Sequence, residues 1–294
     1  MTYDTEGATA MPTGIIAVVV TRNRKEALAR TLDALHLQEP PLDRICVVDN
    51  ASSDGTVQWI RERWPAVDVV AMVDNTGYSG GLAVGMARHV EDCDALLLLD
   101  DDSPPPPDLA SALAECLTMN PRFGVVGTMG VLMRWGNPRP GQWRWARPFN
   151  SHELRGVDAC LVDNALVRTS AVRAVGTTDP TLFMSYEDYE FTQRVRRAGY
   201  QIAVVEGLGV ERLHMGSTDV WRAYYQTRNQ LLVALDLHSV LLVTGWLWRT
   251  AKLIVAALLL RRTAGWTVAR YRMKGAVDGF RRRRGMTVDP ADSS

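Results

Sequence analysis

From residue 15 onward, short apolar runs alternate with segments whose apolar positions recur every three or four residues. Residues 15–20 (IIAVVV) contain no polar position, the pattern of a strand covered on both faces. Ala27, Leu28, Leu32 and Leu35 then fall on one side of a helix predicted over 24–37. The pairing repeats with a strand at 45–48, turn residues DNASSDGT at 49–56 and a helix at 57–64 stopped by Pro65. It repeats again with a strand at 67–73, a loop at 74–81 and a helix to 89. A fourth strand at 95–99 runs directly into Asp100, Asp101 and Asp102, and four prolines at 104–107 lead into a helix at 108–119. Beyond it the pattern predicts a strand at 123–133, an irregular Trp/Pro/Arg-rich loop at 135–149 and a strand at 159–167. A short helix at 170–175 and a helix at 186–198, ended by Gly199, complete this part. Residues 1–14 are small and polar and read as a loose arm.

Strands alternating with helices predict successive βαβ units, hence an α/β fold with a mainly parallel sheet and helices on both faces. Ligands of such sheets bind beyond the carboxyl ends of the strands, and the polar clusters after the first four strands all fall there. Composition agrees. A chain of 294 residues with 47 % hydrophobic and 22 % charged positions buries a full core and is neither collagen-like nor disordered. Cys46, Cys93, Cys116 and Cys160 form no CxxC pair, which argues against a zinc ribbon or a disulfide framework and for reduced thiols.

Net charge is zero and gives no reason to expect nucleic acid as a partner, but the charge is unevenly placed. Residues 241–294 carry eleven Lys and Arg against three Asp, a local +8, which leaves residues 1–240 at −8. Such asymmetry suggests that the tail meets an anionic surface. The first residues lack the basic start and apolar run of a secretory signal, which predicts that the body stays in the cytoplasm.

Three groups carry candidate chemistry. Asp100, Asp101 and Asp102 repel one another unless solvated or bound to a cation, so they read either as a divalent-metal site or as solvated turn residues. Glu187 and Asp188, in YEDYE, open a predicted helix; carboxylates there complement the helix dipole, or one of them serves as a base that deprotonates a hydroxyl. His214, in RLHMGS, reads as a packed histidine or as a metal ligand. Their co-occurrence in this order, each at the working edge of the sheet, favours the functional reading.

The runs VVVTRNR, VVDNASSDGT, DNTGYSGGLAVGM, LLLLDDDS, GVDACLVDNALVRTSAVRAVG, FMSYEDYEFTQRVRRAGY and RLHMGS resemble family 2 glycosyltransferases of the GT-A fold. Within that family the likeness is to the bacterial rhamnosyltransferases and galactofuranosyltransferases, and it spans about 15–230. The resemblance implies inverting transfer of a sugar from a nucleotide diphosphate donor, UDP-galactofuranose favoured over dTDP-rhamnose, to an acceptor hydroxyl with Mg2+ or Mn2+. Asp100 and Asp102 match the family's metal-holding pair, with Asp101 beside them among the donor-binding positions, and His214 matches a metal-binding histidine found in part of the family. Asp188 matches the base, with Glu187 supporting it or contacting the acceptor. Thr21, Arg24, Asp49 and Asn75 sit where the family contacts the nucleoside and ribose, and Gly80 and Gly81 where the chain passes close to the nucleotide. Two departures stand out: DDD in place of a plain DxD, and VDNALV where many relatives have a Gly-Ala pair.

Two apolar segments, 237–248 and 253–260, are broken by Arg249 and Lys252, so a spanning helix is disfavoured. Trp246, Trp248 and Trp266, with Arg261, Arg262, Arg270, Arg272, Lys274 and Arg281 to Arg284, suit helices lying in an anionic headgroup layer; a soluble helical pair with a solvated basic tail is the alternative. The expected organisation is an arm at 1–14, a catalytic domain at 15–230 and a membrane-contact region at 231–294. The expected enzyme sits peripherally on the cytoplasmic face of the membrane and acts on a lipid-linked glycan in cell-envelope polysaccharide assembly. Two rivals remain at this point. A sugar-nucleotide nucleotidyltransferase normally carries a Gly-rich phosphate loop after the first strand, and TRNRKEA has no glycine. A non-catalytic GT-A-like binding protein has no need of mutually repelling carboxylates.

Overall fold

The computed structural model describes residues 11–12, 14–134, 137–140, 142–210, 220–259 and 263–289. Strand β1 (Ile15–Thr21) is followed by helix α1 (Lys25–His36), β2 (Arg44–Asp49), α2 (Thr56–Arg63), β3 (Asp68–Ala71), α3 (Gly77–His89), β4 (Ala95–Asp100) and α4 (Leu109–Met119). Next come β5 (Phe123–Gly127), β6 (Gly130–Arg134), β7 (Asn137–Pro140), β8 (Trp145–Phe149), β9 (His152–Gly156), β10 (Ala159–Cys160) and β11 (Ala165–Arg168). Helices α5 (Thr169–Val175) and α6 (Glu187–Arg197) and strand β12 (Gln201–Glu206) complete the sheet unit. Three long helices follow: α7 (Val220–Asp236), α8 (Val240–Leu259) and α9 (Thr263–Phe280).

The main sheet runs β3-β2-β1-β4-β11-β5-β12-β9-β8. Strands β3, β2, β1 and β4 are parallel, as the βαβ pattern predicts, while β11 inserts antiparallel between β4 and β5. Successive side chains of β1 and β4 point to opposite faces, and both faces are covered. Ala17, Val19, Leu97 and Leu99 pack with Leu28 and Leu32 of α1 and Leu113 of α4. Val18, Val20, Leu96 and Leu98 pack with Leu82 and Met86 of α3 and Phe191 of α6. That two-sided cover is why these strands read as unbroken apolar runs.

Several expected elements differ. The single strand expected at 123–133 is two, with β5 in the main sheet and β6 in a small sheet ordered β10-β6-β7. The run expected at 159–167 likewise divides into β10 and β11. Gly127-Thr128 and Asp163-Asn164 interrupt the two runs where the strands divide, but a short polar interruption does not by itself show that the chain changes sheets there. The expected loop at 135–149 contains β7 and β8; Trp145 stacks on Phe123, while Trp143 lies under the Arg155 guanidinium and stays 39 % exposed. Helix α3 starts at Gly77 rather than after Gly81.

Residues 240–248 and 253–259 of the two charge-broken apolar segments lie in one continuous helix, α8, in which Val240–Ala257 is long and apolar enough to cross a membrane by length and composition, with 28 % of it buried. The boundary expected at 230/231 falls inside α7, whose Tyr224, Tyr225, Arg228 and Asn229 are buried. Trp246, expected at a headgroup layer, is buried and donates its indole N–H to the Thr227 carbonyl at 2.8 Å. The expected basic surface is also partly neutralised. Arg282 and Arg284 pair with Asp236, Arg284 reaches Asp179 as well, and Arg283 pairs with Asp278.

Candidate active site

The carboxyl ends of β1 and β4 and the first turn of α6 face one cleft of about 910 Å³. Its lining includes Thr21, Arg24, Asn75, Asp100, Asp101, Glu187 and Asp188, so most of the sequence-derived candidates converge there. Asp102, Asp49, Gly80 and Gly81 lie outside that lining, and His214 is outside the described residues.

At the end of β4, carboxylate oxygens of Asp100, Asp101 and Asp102 all lie within 4.8 Å of one another. Arg24 bridges two of them, donating to Asp101 Oδ1 at 2.8 Å and to Asp102 Oδ2 at 2.7 Å. Thr21 Oγ1 donates to Asp101 Oδ2 at 2.8 Å, and Thr31 Oγ1 to the Asp101 carbonyl at 2.8 Å. Thr21 and Arg24, expected on the nucleoside, therefore also tether the triplet, and Asp101 is its anchoring member. Asp100 projects into the cleft, and burial together with Asp101, Asp163 and Asp102 pushes its pKa well above the usual carboxylate range. Burial raises Asp101 to about 6, with Arg24 opposing.

Asp163 was not found from the sequence. The β10–β11 turn brings it to the same sheet edge, where its carboxylate accepts from the Asp100 amide at 3.1 Å and from Ser103 Oγ at 3.0 Å. The only sequence signal was the departure VDNALV itself.

The nucleoside-side candidates are placed at the neighbouring strand ends. Asp49 Oδ2 accepts from the Ser52 amide at 2.9 Å, while its buried Oδ1 has no hydrogen-bond partner. Asn75 Oδ1 accepts from the Gly77 amide at 3.0 Å. Gly80 and Gly81, expected near the nucleotide, are buried in α3, and a Cβ on Gly81 would stand 2.6 Å from Val20 Cγ1, so its absence lets α3 lie close on β1.

Glu187 and Asp188 occupy the first turn of α6, where the helix dipole favours negative charge. Burial, then Asp188, with Asp100 adding, push Glu187 up to about 8, and its buried Oε2 has no partner. Asp188 is raised to about 6 by burial, opposed by the Tyr189 amide that donates to its Oδ1 at 2.6 Å. Glu187 is the more strongly raised of the two, so the pair binds a proton more readily than isolated carboxylates do.

The loop before this pair is strained. Phe183, Ser185 and Tyr186 have φ of 68°, 68° and 73°, in the left-handed region that non-glycine residues avoid. Asn229 of α7 holds it, donating Nδ2 to the carbonyls of Leu182, Met184 and Ser185 at 2.8, 2.8 and 2.9 Å. Arg228 adds a bond to the Leu182 carbonyl at 3.0 Å. From the other side α3 begins at Gly77 (φ 74°), where a Cβ would stand 2.0 Å from the Phe183 carbonyl oxygen. These positioning residues lie far from the motif in sequence, and no local pattern marked them.

The sequence model described as "Glycosyl transferase family 2" matches residues 16–172. The galactofuranosyltransferase GlfT1 of Mycobacterium tuberculosis (strain CDC 1551 / Oshkosh) is 29 % identical over 203 residues, which cover 64 % of this chain and 66 % of that protein. The chain thus matches just under two thirds of the length of that relative. The GlfT1 of Mycolicibacterium smegmatis is 28 % identical over 222 residues, 71 % of this chain and 73 % of its own. Among solved structures, the mannosyltransferase PcManGT from Pyrobaculum calidifontis, in complex with GDP-Man and Mn2+, superposes with a TM-score of 0.60 at 16 % identity, covering 95 % of this chain and 90 % of its own. The architecture is the GT-A fold with a C-terminal helical region.

Proposed function

The chain belongs to glycosyl transferase family 2, and from that premise we propose that it transfers a sugar with inversion from a nucleotide diphosphate donor to an acceptor hydroxyl, galactofuranose from UDP-galactofuranose being favoured over rhamnose from dTDP-rhamnose. One observation carries the reading: the acidic edge ending in Asp100 and the Glu187–Asp188 pair face one cleft. The galactofuranosyltransferase relatives support the choice of donor sugar. Family membership makes the chain a glycosyltransferase, which sets aside the nucleotidyltransferase and non-catalytic readings.

Asp188 is the base. Its carboxylate is poised near 6, close to the operating range that favours proton abstraction from a hydroxyl. Glu187, the more strongly raised of the two, contacts the acceptor or keeps Asp188 in place through their mutual field. Asp49, with its unpartnered Oδ1, and Asn75 bind the nucleoside side.

The residues present fit a divalent cation. Arg24 pairs with two of the three crowded carboxylates, and Asp100 remains a half-buried, oxygen-only donor, the kind that a hard ion such as Mg2+ or Mn2+ prefers. Asp100 and Asp102 would hold it, with His214 as the further expected ligand. When bound, the ion neutralises charge that develops on the leaving diphosphate. We place the acceptor on a membrane lipid and the enzyme on the cytoplasmic face. The exposed side of α8 supports this, with Leu247 50 %, Trp248 72 % and Leu259 75 % exposed. The test is a panel of sugar nucleotides assayed for binding and hydrolysis with Mg2+ and Mn2+. Turnover of UDP-galactofuranose above the rest is expected, and no turnover of any donor overturns the proposal.

A further inference from the structure

The cleft has two walls of opposite charge. The sheet edge is acidic, whereas the wall from α7 and α8 presents Arg222, Gln226 and Arg249. Arg249 donates Nη1 to the Tyr186 hydroxyl at 2.7 Å, directly before the Glu187–Asp188 pair. Arg222 lies over the Trp221 ring at 5.4 Å and keeps a buried Nε with no partner. Behind Arg249 stands Arg272 of α9, which donates to Thr227 Oγ1 at 3.3 Å and also has a buried, unpartnered Nε.

Among the described residues none of these three arginines is paired with a carboxylate, although Arg144, Arg155, Arg194, Arg196, Arg282, Arg283 and Arg284 all are. Burial and the neighbouring Arg249 depress the pKa of Arg272, the mark of like charges held together without compensation. Such an arrangement is costly unless an anion completes it, and guanidinium groups match phosphate oxygens in fork geometry.

We propose that Arg222 and Arg249 form a subsite for a phosphate group of the acceptor, with Arg272 adding positive charge behind Arg249. This rests on the glycosyltransferase reading above and names the acceptor's chemical class: an amphiphile whose phosphate lies at the arginines and whose apolar chain runs along α8. Two features favour acceptor over donor. Arg249 reaches the site through Tyr186, beside the base, while the nucleoside candidates come from the ends of β1 and β2 and the start of α3. The helix that carries Arg249 also carries the exposed Trp248 and Leu259, so one element offers both a cation and an apolar track.

The experiment measures binding of farnesyl diphosphate, inorganic pyrophosphate and UDP to the full chain and to Arg249→Gln, Arg222→Gln and Arg249→Lys, with metal omitted so that the acidic edge does not recruit diphosphate. Each Gln variant is expected to weaken farnesyl diphosphate about tenfold, the size of one lost charge-assisted hydrogen bond, with Arg249→Lys in between. UDP affinity is expected to stay within about twofold, which also reports an intact fold. Unchanged farnesyl diphosphate affinity overturns the proposal. A parallel loss of UDP affinity overturns it too and assigns the arginines to the donor, and pyrophosphate binding as tight as farnesyl diphosphate leaves only a free-phosphate site. The binding readout stands whether or not any sugar nucleotide is turned over, so failure here and failure of the transferase reading are distinguishable.

Discussion

Replacing Asn229 with leucine tests whether α7 holds the base in place. The side chain is fully buried, and its amide donates to three carbonyls of the strained loop while its Oδ1 accepts from Arg228 Nε at 2.8 Å. Leucine keeps the branched heavy-atom shape and removes every one of these bonds. The Leu182 carbonyl retains Arg228, so the loss falls on the carbonyls of Met184 and Ser185 and on the Arg228 Nε–H. At about 1–3 kcal/mol for each of these three buried groups left unsatisfied, the cost is roughly 3–9 kcal/mol. That offsets much of what holds three residues at positive φ, each of which costs of order 1–3 kcal/mol. A thermal melt should fall by about 6 °C or more, from roughly 2–4 °C per kcal/mol in a chain of this size. Because the loop sets the position of Glu187 and Asp188 while the nucleoside contacts lie on other elements, kcat should fall about tenfold or more with UDP affinity nearly unchanged. A variant that melts with the wild type, or that loses UDP affinity as fast as kcat, would refute the reasoning.

Asp188→Asn should lower kcat by about 10²-fold or more with little change in donor affinity; an inactive Glu187→Gln beside an active Asp188→Asn would reverse the two roles. The acid limb of kcat/KM should lie near pH 6, where Asp188 takes up its proton, and a profile flat to pH 4.5 contradicts that assignment. Glu187 has a folded pKa of about 8 against an ordinary value near 4.5, so its ionisation opposes folding and stability falls as pH rises between those values. Glu187→Gln should therefore melt a few degrees above wild type at pH 8.5 and close to it at pH 4.5; a gap independent of pH argues against the buried proton. Asp100→Asn should abolish any chelator-sensitive component of UDP binding, and a variant as chelator-sensitive as wild type removes Asp100 from the metal site. Trp248→Glu with Leu259→Glu should release the chain from anionic vesicles, and undiminished co-sedimentation would place the membrane contact elsewhere than α8.

The amino-acid sequence by itself determined the βαβ order of the first half, because β1 and β4 are covered on both faces and their apolar runs need no partner to be read. It also determined that Asp100 and its neighbours end a strand and that Glu187 and Asp188 begin a helix, since strand ends and helix starts are local events. Only the tertiary structure decided what surrounds them. Asp163 meets Asp100 across 63 residues of chain, and Arg249 meets Tyr186 across another 63. Asn229 reaches back 44 to 47 residues to hold the loop before the base, and α7 thereby belongs to the site although the apolar pattern assigned its end to a separate tail. The fate of the basic tail was undecidable for the same reason. Whether Arg282, Arg283 and Arg284 face lipid or Asp236, Asp278 and Asp179 depends on how α7 and α9 pack. Periodicity records which side of an element is buried, whereas the identity of the buried partner is fixed by packing between elements distant in the chain.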